Sequence, residues 1–271
     1  MYYQVHNIHI PQAYFTLDPV SAMPNPADLP PELLDPESKT PPRSLLDLIE
    51  LKVFDLDLAA WLVSQVARGA SFIVGSGPGG VGKTTTMRAL LAFAPADRPF
   101  AIALPGKVAE VEGPCSCVVS HELSDHPPPT YLWGQNLRDF FALSQQGHML
   151  VGNMHADDLE ETRAQVCVAN EVPEGQFRAV KLFAFVRVEG VAPGTGRIND
   201  PVSRRFINEI HLSDGRAAHQ VVFTRDGGLG AGAPRDAAHE RRCRCFLEET
   251  LSSAVRDINQ VRRLFLAAES K

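Results

Sequence analysis

No apolar run in the sequence approaches the roughly 20 residues that a membrane-spanning helix requires, so no span is expected. The first ten residues, MYYQVHNIHI, lack the basic-then-apolar build of an export signal. Cysteine is scarce and odd in number, five in 271 residues, so reduced thiols rather than a disulfide framework are the default. Positive charge is in deficit as well: 26 Lys and Arg against 32 Asp and Glu leave a net charge of −6, which argues against a protein that coats nucleic acid. These absences together predict a cytoplasmic chain with no direct nucleic-acid binding.

The length suffices for one large core, or one core with a small appendage. Two C-x-C pairs, Cys115/Cys117 and Cys243/Cys245, raise the question of a four-thiolate zinc site. Residues two apart share a face on a strand but diverge by about 200° on a helix, and the second pair lies in a helical segment, so a joint tetrahedral site is not expected. The charge run RDAAHERRCRCF interleaves acidic residues and reads as a solvated helix face.

Residues 1–43 hold nine of the 21 prolines and read as an extended arm, although the alternation in YYQVHNIHI suits one short strand. Ser44 then predicts an N-cap for LLDLIEL, with Asp47 completing a capping box. A second helix is expected from about Asp57, closed by Gly69. Further strands are expected at 71–75, 100–104, 117–120, 131–133 and 149–154, and helices at 137–143 and 157–168. From Phe183 the pattern turns to antiparallel β: KLFAFVRVEG, RRFINEIHL and HQVVFTRDGG, joined by APGTGRINDP and SDGRA. A C-terminal helical segment carries an apolar stripe of Leu247, Leu251, Val255, Ile258, Val261 and Leu264. The expected architecture is α/β, with a mixed, largely parallel sheet, an antiparallel extension and C-terminal helices. The divisions are 1–43, 44–230 and 231–271.

The stretch that organises the chain is SFIVGSGPGGVGKTTTMRALLAFA, where β-forming residues end in a glycine-rich turn and helix-forming residues follow. Gly77-Pro78-Gly79-Gly80-Val81-Gly82-Lys83-Thr84 matches the phosphate-binding pattern G-x-x-x-x-G-K-[ST] in its required context, with Thr85 next in line. The glycines let the backbone approach an anion so that successive N–H groups converge on phosphate oxygens. Lys83 supplies a charge for the β and γ phosphates, Thr84 a hydroxyl for Mg²⁺, and the helix N-terminus a partial positive charge. ATP with Mg²⁺ is the expected ligand.

The order of motifs resembles the secretion ATPase superfamily, the motors of type II and type IV secretion systems and type IV pili. The resemblance rests on the lead-in SLLDLIELKVFDLDLAAWLVSQVARGASFIVGS, the Walker A segment GPGGVGKTTTMRALL, TYLWGQ in the place of the Walker B segment, and LRDFFALSQQGHMLVGNMHADDLEETRAQV, similar to the His box. It covers residues 44–225. It implies a RecA-like P-loop NTPase core, a hexameric ring or a ring mixed with another ATPase, docking on an inner-membrane platform protein, and His155 near the γ phosphate.

Against that family, Gln135 stands where Walker B carries Glu, and an amide can hold water but cannot take a proton. Gly106 and Lys107 fall where the acidic pair of the Asp box belongs, while Glu110 and Glu122 match acidic positions nearby. The family's large N-terminal domain, which supplies arginines to the nucleotide, is replaced by the Pro-rich arm with Lys39 and Arg43. The expected catalytic set is therefore Lys83, Gln135, His155 and Glu110, with slow or absent turnover. The alternative is a non-hydrolysing structural or regulatory subunit. The chromosome-partitioning ATPases fit less well, since Pro78 stands where they carry Lys, and a small-molecule kinase would need lid arginines, absent from residues 105–130.

Overall fold

The computed structural model describes residues 27–34, 41–111, 113, 115–126, 130–192, 196–200 and 202–270; the expected N-terminal strand and most of the Pro-rich arm, with Lys39, lie outside them. The elements run α1 (Leu45–Glu50), α2 (Leu56–Ala67), β1 (Phe72–Gly75), α3 (Lys83–Leu91), β2 (Phe100–Ile102), β3 (Cys117–Val119), α4 (Gln135–Ala142), β4 (Met149–Met154), α5 (Leu159–Arg163), α6 (Glu174–Ala179), β5 (Leu182–Val188), β6 (Arg205–Leu212), β7 (Gln220–Thr224), β8 (Gly228–Leu229), α7 (Ala237–Leu251) and α8 (Ile258–Glu269).

The strands form one sheet in the order β2-β3-β4-β1-β5-β6-β7-β8. The stretch from β2 to β5 is parallel, and β6, β7 and β8 extend it antiparallel. β1, which feeds the glycine-rich turn, is central, and β3 and β4 intervene between it and the next strand in sequence. This is the α/β architecture of a RecA-like core. β1, β3 and β4 are buried along their whole length, as continuous apolar parallel strands require when helices cover both faces. Their side chains alternate between two cores: Phe72, Val74, Met149 and Val151 pack with α1, α2, α3, α7 and α8, whereas Ile73, Leu150 and Met154 pack with α4 and α6.

The helix starts follow the sequence chemistry. Ser44 and Asp47 form a reciprocal capping box at α1, Asp55 caps α2, and Gly69 turns the chain out of α2 at φ 78°. Trp61 is fully buried and donates its indole N–H to Pro234 O at 3.0 Å, which ties α2 to the segment before α7. Arg262 of α8, 1% exposed, donates to Ala27 O, Ala92 O and Ala94 O. It thereby satisfies carbonyls just beyond the C-terminus of α3, where a cation is favoured.

Three sequence expectations require correction. Residues 131–133 are not a strand: only Leu132 bridges to Leu123, because a proline run lacking N–H donors precedes the segment and Gly134 turns at φ 59° after it. The helix expected over 157–168 begins at Leu159, capped by Asp158, and widens into a π-helix over Ala164–Ala169. The expected C-terminal helices are present as α7 and α8, but the apolar stripe expected along them does not run through Leu264. The Ser253 hydroxyl donates to Thr250 O and accepts from Val255 N–H, and Asp257 caps a new start, so Phe265 rather than the exposed Leu264 enters the core.

Candidate functional site

The C-terminal ends of β1, β4 and β3 lie side by side, and the residues just beyond them converge. Ser76 to Gly82 follow β1, His155 follows β4, and Glu122 follows β3. This edge of a parallel sheet is where ligands bind in α/β folds. A cavity of about 320 Å³ opens there, bounded by the glycine-rich turn, Lys83, Glu122, Tyr131, His155 and Arg197.

The turn is held from outside as well as within. Gly80 has φ 76°, and a Cβ on it would lie 2.2 Å from Ile198 O, so only glycine fits. Ile198 N–H donates to Gly79 O at 2.8 Å, and Arg205 donates to Gly80 O at 3.3 Å. On the other side Gly77 N–H donates to Asp157 Oδ1 at 2.9 Å, an oxygen also held by Arg187 at 2.7 Å, and a Cβ on Gly77 would strike that carboxylate at 2.4 Å.

Lys83, at the first position of α3, is 6% exposed and donates from Nζ to Ser76 O at 3.3 Å and Pro78 O at 3.4 Å. Its Nζ lies 3.7 Å from Glu122 Oε1. Burial pulls the lysine below its ordinary range, against the opposing pull of Glu122. His155 Nδ1 lies 2.9 Å from Gly77 O. A carbonyl oxygen only accepts, so Nδ1 carries the hydrogen, and the Lys83 ammonium 3.2 Å from the same nitrogen is a close polar approach rather than a second hydrogen bond. The other ring nitrogen, Nε2, faces Glu122 Oε1 at 3.5 Å.

Glu122 is 6% exposed, and burial raises its carboxyl above the usual range while Lys83 and His155 oppose the rise. Three oxygens in or beside this cluster, Glu122 Oε1, Asn153 Oδ1 and Ser76 Oγ, are buried without a hydrogen-bond partner. Asn153 is itself unusual, an amide inside a fully buried strand, and it donates to Thr84 Oγ1 at 3.3 Å and His121 O at 3.1 Å. Oxygen donors of this kind, a carboxylate and a hydroxyl at a helix N-terminus, suit Mg²⁺.

A second cavity of about 370 Å³ lies on the opposite flank of the same turn, sharing Gly80, Val81, Gly82 and Thr85 with the first. Its walls combine apolar Leu48, Leu51 and Val53 with the cations Arg43 and Arg204.

Gly79, Gly80, Val81, Gly82, Lys83, Thr84, Thr85 and His155 therefore meet at one cavity, with Gly77 and Pro78 tied to it through their carbonyls. Gln135 and Glu110 do not meet it. Gln135 opens α4 and exchanges hydrogen bonds with Arg138 and Asp139 on an exposed surface. Glu110 is exposed at the end of a 3-10 turn. The placement follows from the strand assignment: TYLWGQ is not a strand of the sheet, and the chain that ends beside Lys83 is β3, so CVVSHE brings Glu122 to the cavity. Asp157, Tyr131 and Arg197 were not legible locally. Asp157 read as a helix-start carboxylate, and Arg197 lay in a connection that read only as a turn.

No family model and no curated protein matches the chain. Among solved structures the chain is similar to the VirB11 ATPase from the Brucella suis type IV secretion system, in complex with sulphate, at 19% identity and a TM-score of 0.39. The match covers 55% of this chain and 50% of that one, so the chain spans about half the length of that protein. A likeness this distant adds nothing about activity or partners.

Proposed function

We propose that the chain is an ATP-binding subunit of a secretion or type IV pilus-like machine, holding MgATP on the turn from Gly77 to Thr85 and hydrolysing it slowly. The observation that carries the binding reading is the convergence of Lys83, Glu122 and His155 at the mouth of a glycine turn that opens a helix. The place of the chain in such a machine rests on the order of its sequence motifs.

In this reading the phosphates lie in the cavity beside Lys83, against the N–H groups of α3 and the turn. The nucleoside lies on the opposite flank, where Leu48, Leu51 and Val53 offer an apolar wall and Arg43 a stacking cation. Thr84 and Glu122 would hold Mg²⁺, which when bound offsets phosphate charge. Lys83 exchanges its loop carbonyls for phosphate oxygens, and His155 reports the terminal phosphate back to Gly77 O. Glu122 orients the attacking water. The only carboxylate bordering the cavity among the described residues is Glu122, so one acid stands for the two that the family uses, and slow turnover follows.

Titration of a fluorescent ATP analogue tests the binding reading. The wild-type chain is expected to bind with Mg²⁺ present and Lys83→Ala to lose at least about tenfold, as removal of a charge-assisted phosphate contact implies. Leu51→Asp is expected to weaken ATP and ADP equally, because it acts on the nucleoside. Equal affinity of wild type and Lys83→Ala would refute the reading.

The runner-up is a non-hydrolysing structural or regulatory subunit of the same kind of assembly. The exposed place of Gly106 and Lys107, where an acidic pair was expected, favours it. A homo-oligomeric ring, a hexamer or a ring shared with a second ATPase, and an inner-membrane platform protein as docking partner are the assembly expectations, testable by light scattering with and without nucleotide. Among the described residues no helix is long and apolar enough to cross a membrane.

A further inference from the structure

We propose that Arg197, on the connection between β5 and β6, is a cation supplied in cis to the terminal phosphate of the bound nucleotide. The inference rests on the nucleotide reading above and adds a residue to it.

Transfer or retention of a γ-phosphoryl group places negative charge on its outer oxygens, and a guanidinium can meet two of them at once. On the phosphate side of the turn, the full cations bordering the cavity among the described residues are Lys83 and Arg197. Arg43, Arg204 and Arg205 border the opposite cavity. The backbone at Arg197 is held in place. Ile198, its neighbour, donates its N–H to Gly79 O, and the Ile198 carbonyl occupies the space that a side chain at Gly80 would need. Arg205 fastens the far end of the same connection by donating to both Gly80 O and Asp200 O. The backbone that carries Arg197 is thus fixed to the glycine turn itself.

The side chain is exposed, yet it runs along the loop: a methyl group on Gly79 would lie 3.6 Å from its Cγ and 3.8 Å from its Nη1. Across the cavity stand Glu122, His155 and the half-buried Tyr131. Burial, then Glu122, raises the Tyr131 phenol, and the Arg197 charge opposes that rise; the same charge adds to the lowering of Lys83 that burial dominates. Two cations that repel each other across an open cavity are relieved when a polyanion enters between them. The arrangement also answers a chemical need. An enzyme of this class requires a cation beyond the loop lysine at the transferring phosphate, and a residue fixed in cis removes the need for a separate domain to bring one.

The test is displacement of a fluorescent nucleotide by ADP and by the non-hydrolysable triphosphate analogue AMP-PNP, with Mg²⁺ at constant salt, in wild type, Arg197→Ala and Arg197→Lys. Arg197→Ala is expected to weaken the triphosphate by about 10- to 100-fold and to leave ADP within about twofold, as loss of charge-assisted hydrogen bonds at one phosphate implies. Arg197→Lys, which keeps the charge without the fork, is expected to recover part of the loss. An equal loss for both nucleotides, or no loss for either, overturns the role of Arg197 while wild-type binding stands. A wild-type chain that binds neither nucleotide overturns the nucleotide reading, and this inference with it.

Discussion

Glu122 stabilises the free protein least where it serves the site most. A carboxylate buried beside a lysine and a histidine, with one oxygen lacking a hydrogen-bond partner, is costly to ionise, and its titration is raised above the ordinary 4.5 by burial. The linkage sign follows. A raised folded-state value favours the protonated form, so the stability contribution is present below about pH 4.5 and is lost as pH climbs through the raised value. Glu122→Gln, which mimics the protonated acid, is therefore expected to melt at a higher temperature than wild type at pH 7, with the gap closing as pH falls through the raised value and gone by about pH 4.5. Differential scanning fluorimetry across that range checks it; a variant less stable at pH 7 would mean that the Lys83 ion pair outweighs burial. A favourable ligand for these groups is one that brings its own opposite charges, which is the demand a metal-bound polyphosphate meets.

At the scale of elements, the turn and the β5–β6 connection behave as one unit. Gly80→Ala must accommodate both φ 76° and a contact of 2.2 Å with Ile198 O, whereas at Gly79 the nearest atom is 3.6 Å away and φ is not positive. Gly80→Ala is expected to abolish nucleotide binding, and Gly79→Ala to keep it within about threefold, since backbone strain of about 1–3 kcal/mol is confined to the first. Equal behaviour of the two in a binding titration would show that the connection does not shape the turn. The hold of α8 on α3 is a second link. Arg262→Met removes three hydrogen bonds to carbonyls and is expected to cost on the order of 3 kcal/mol, read as a lower urea midpoint. These elements differ in how far the sequence announced them. The capping box at Ser44, the glycine turn and the strand that ends just before His155 depend on short-range patterns and were legible. Glu122 was legible only as one acid among several, because its role depends on β3 ending beside β4 and β1, a pairing between residues far apart in sequence. Tyr131–Trp133 misled for the converse reason: apolar residues before a glycine look like a strand wherever they are, and the ladder is denied by prolines and by Gly134.

For the molecule as a whole, the alternation of strand and helix was enough to predict a largely parallel sheet, and the later run of β segments its antiparallel edge. What the alternation left open was the order of strands, and that order decides which side chains share the crevice. With β4 between β1 and β3, His155 and Glu122 stand next to Lys83, and Gln135 is carried away to the exposed start of α4. Single-turnover ATP hydrolysis by wild type, Lys83→Ala, Glu122→Gln and Gln135→Glu tests that assignment most directly. A slow wild-type rate above the Lys83→Ala background, lost in Glu122→Gln and unaltered in Gln135→Glu, is the predicted result. A wild-type rate at background, or one that Gln135→Glu raises while Glu122→Gln leaves it unchanged, would contradict it.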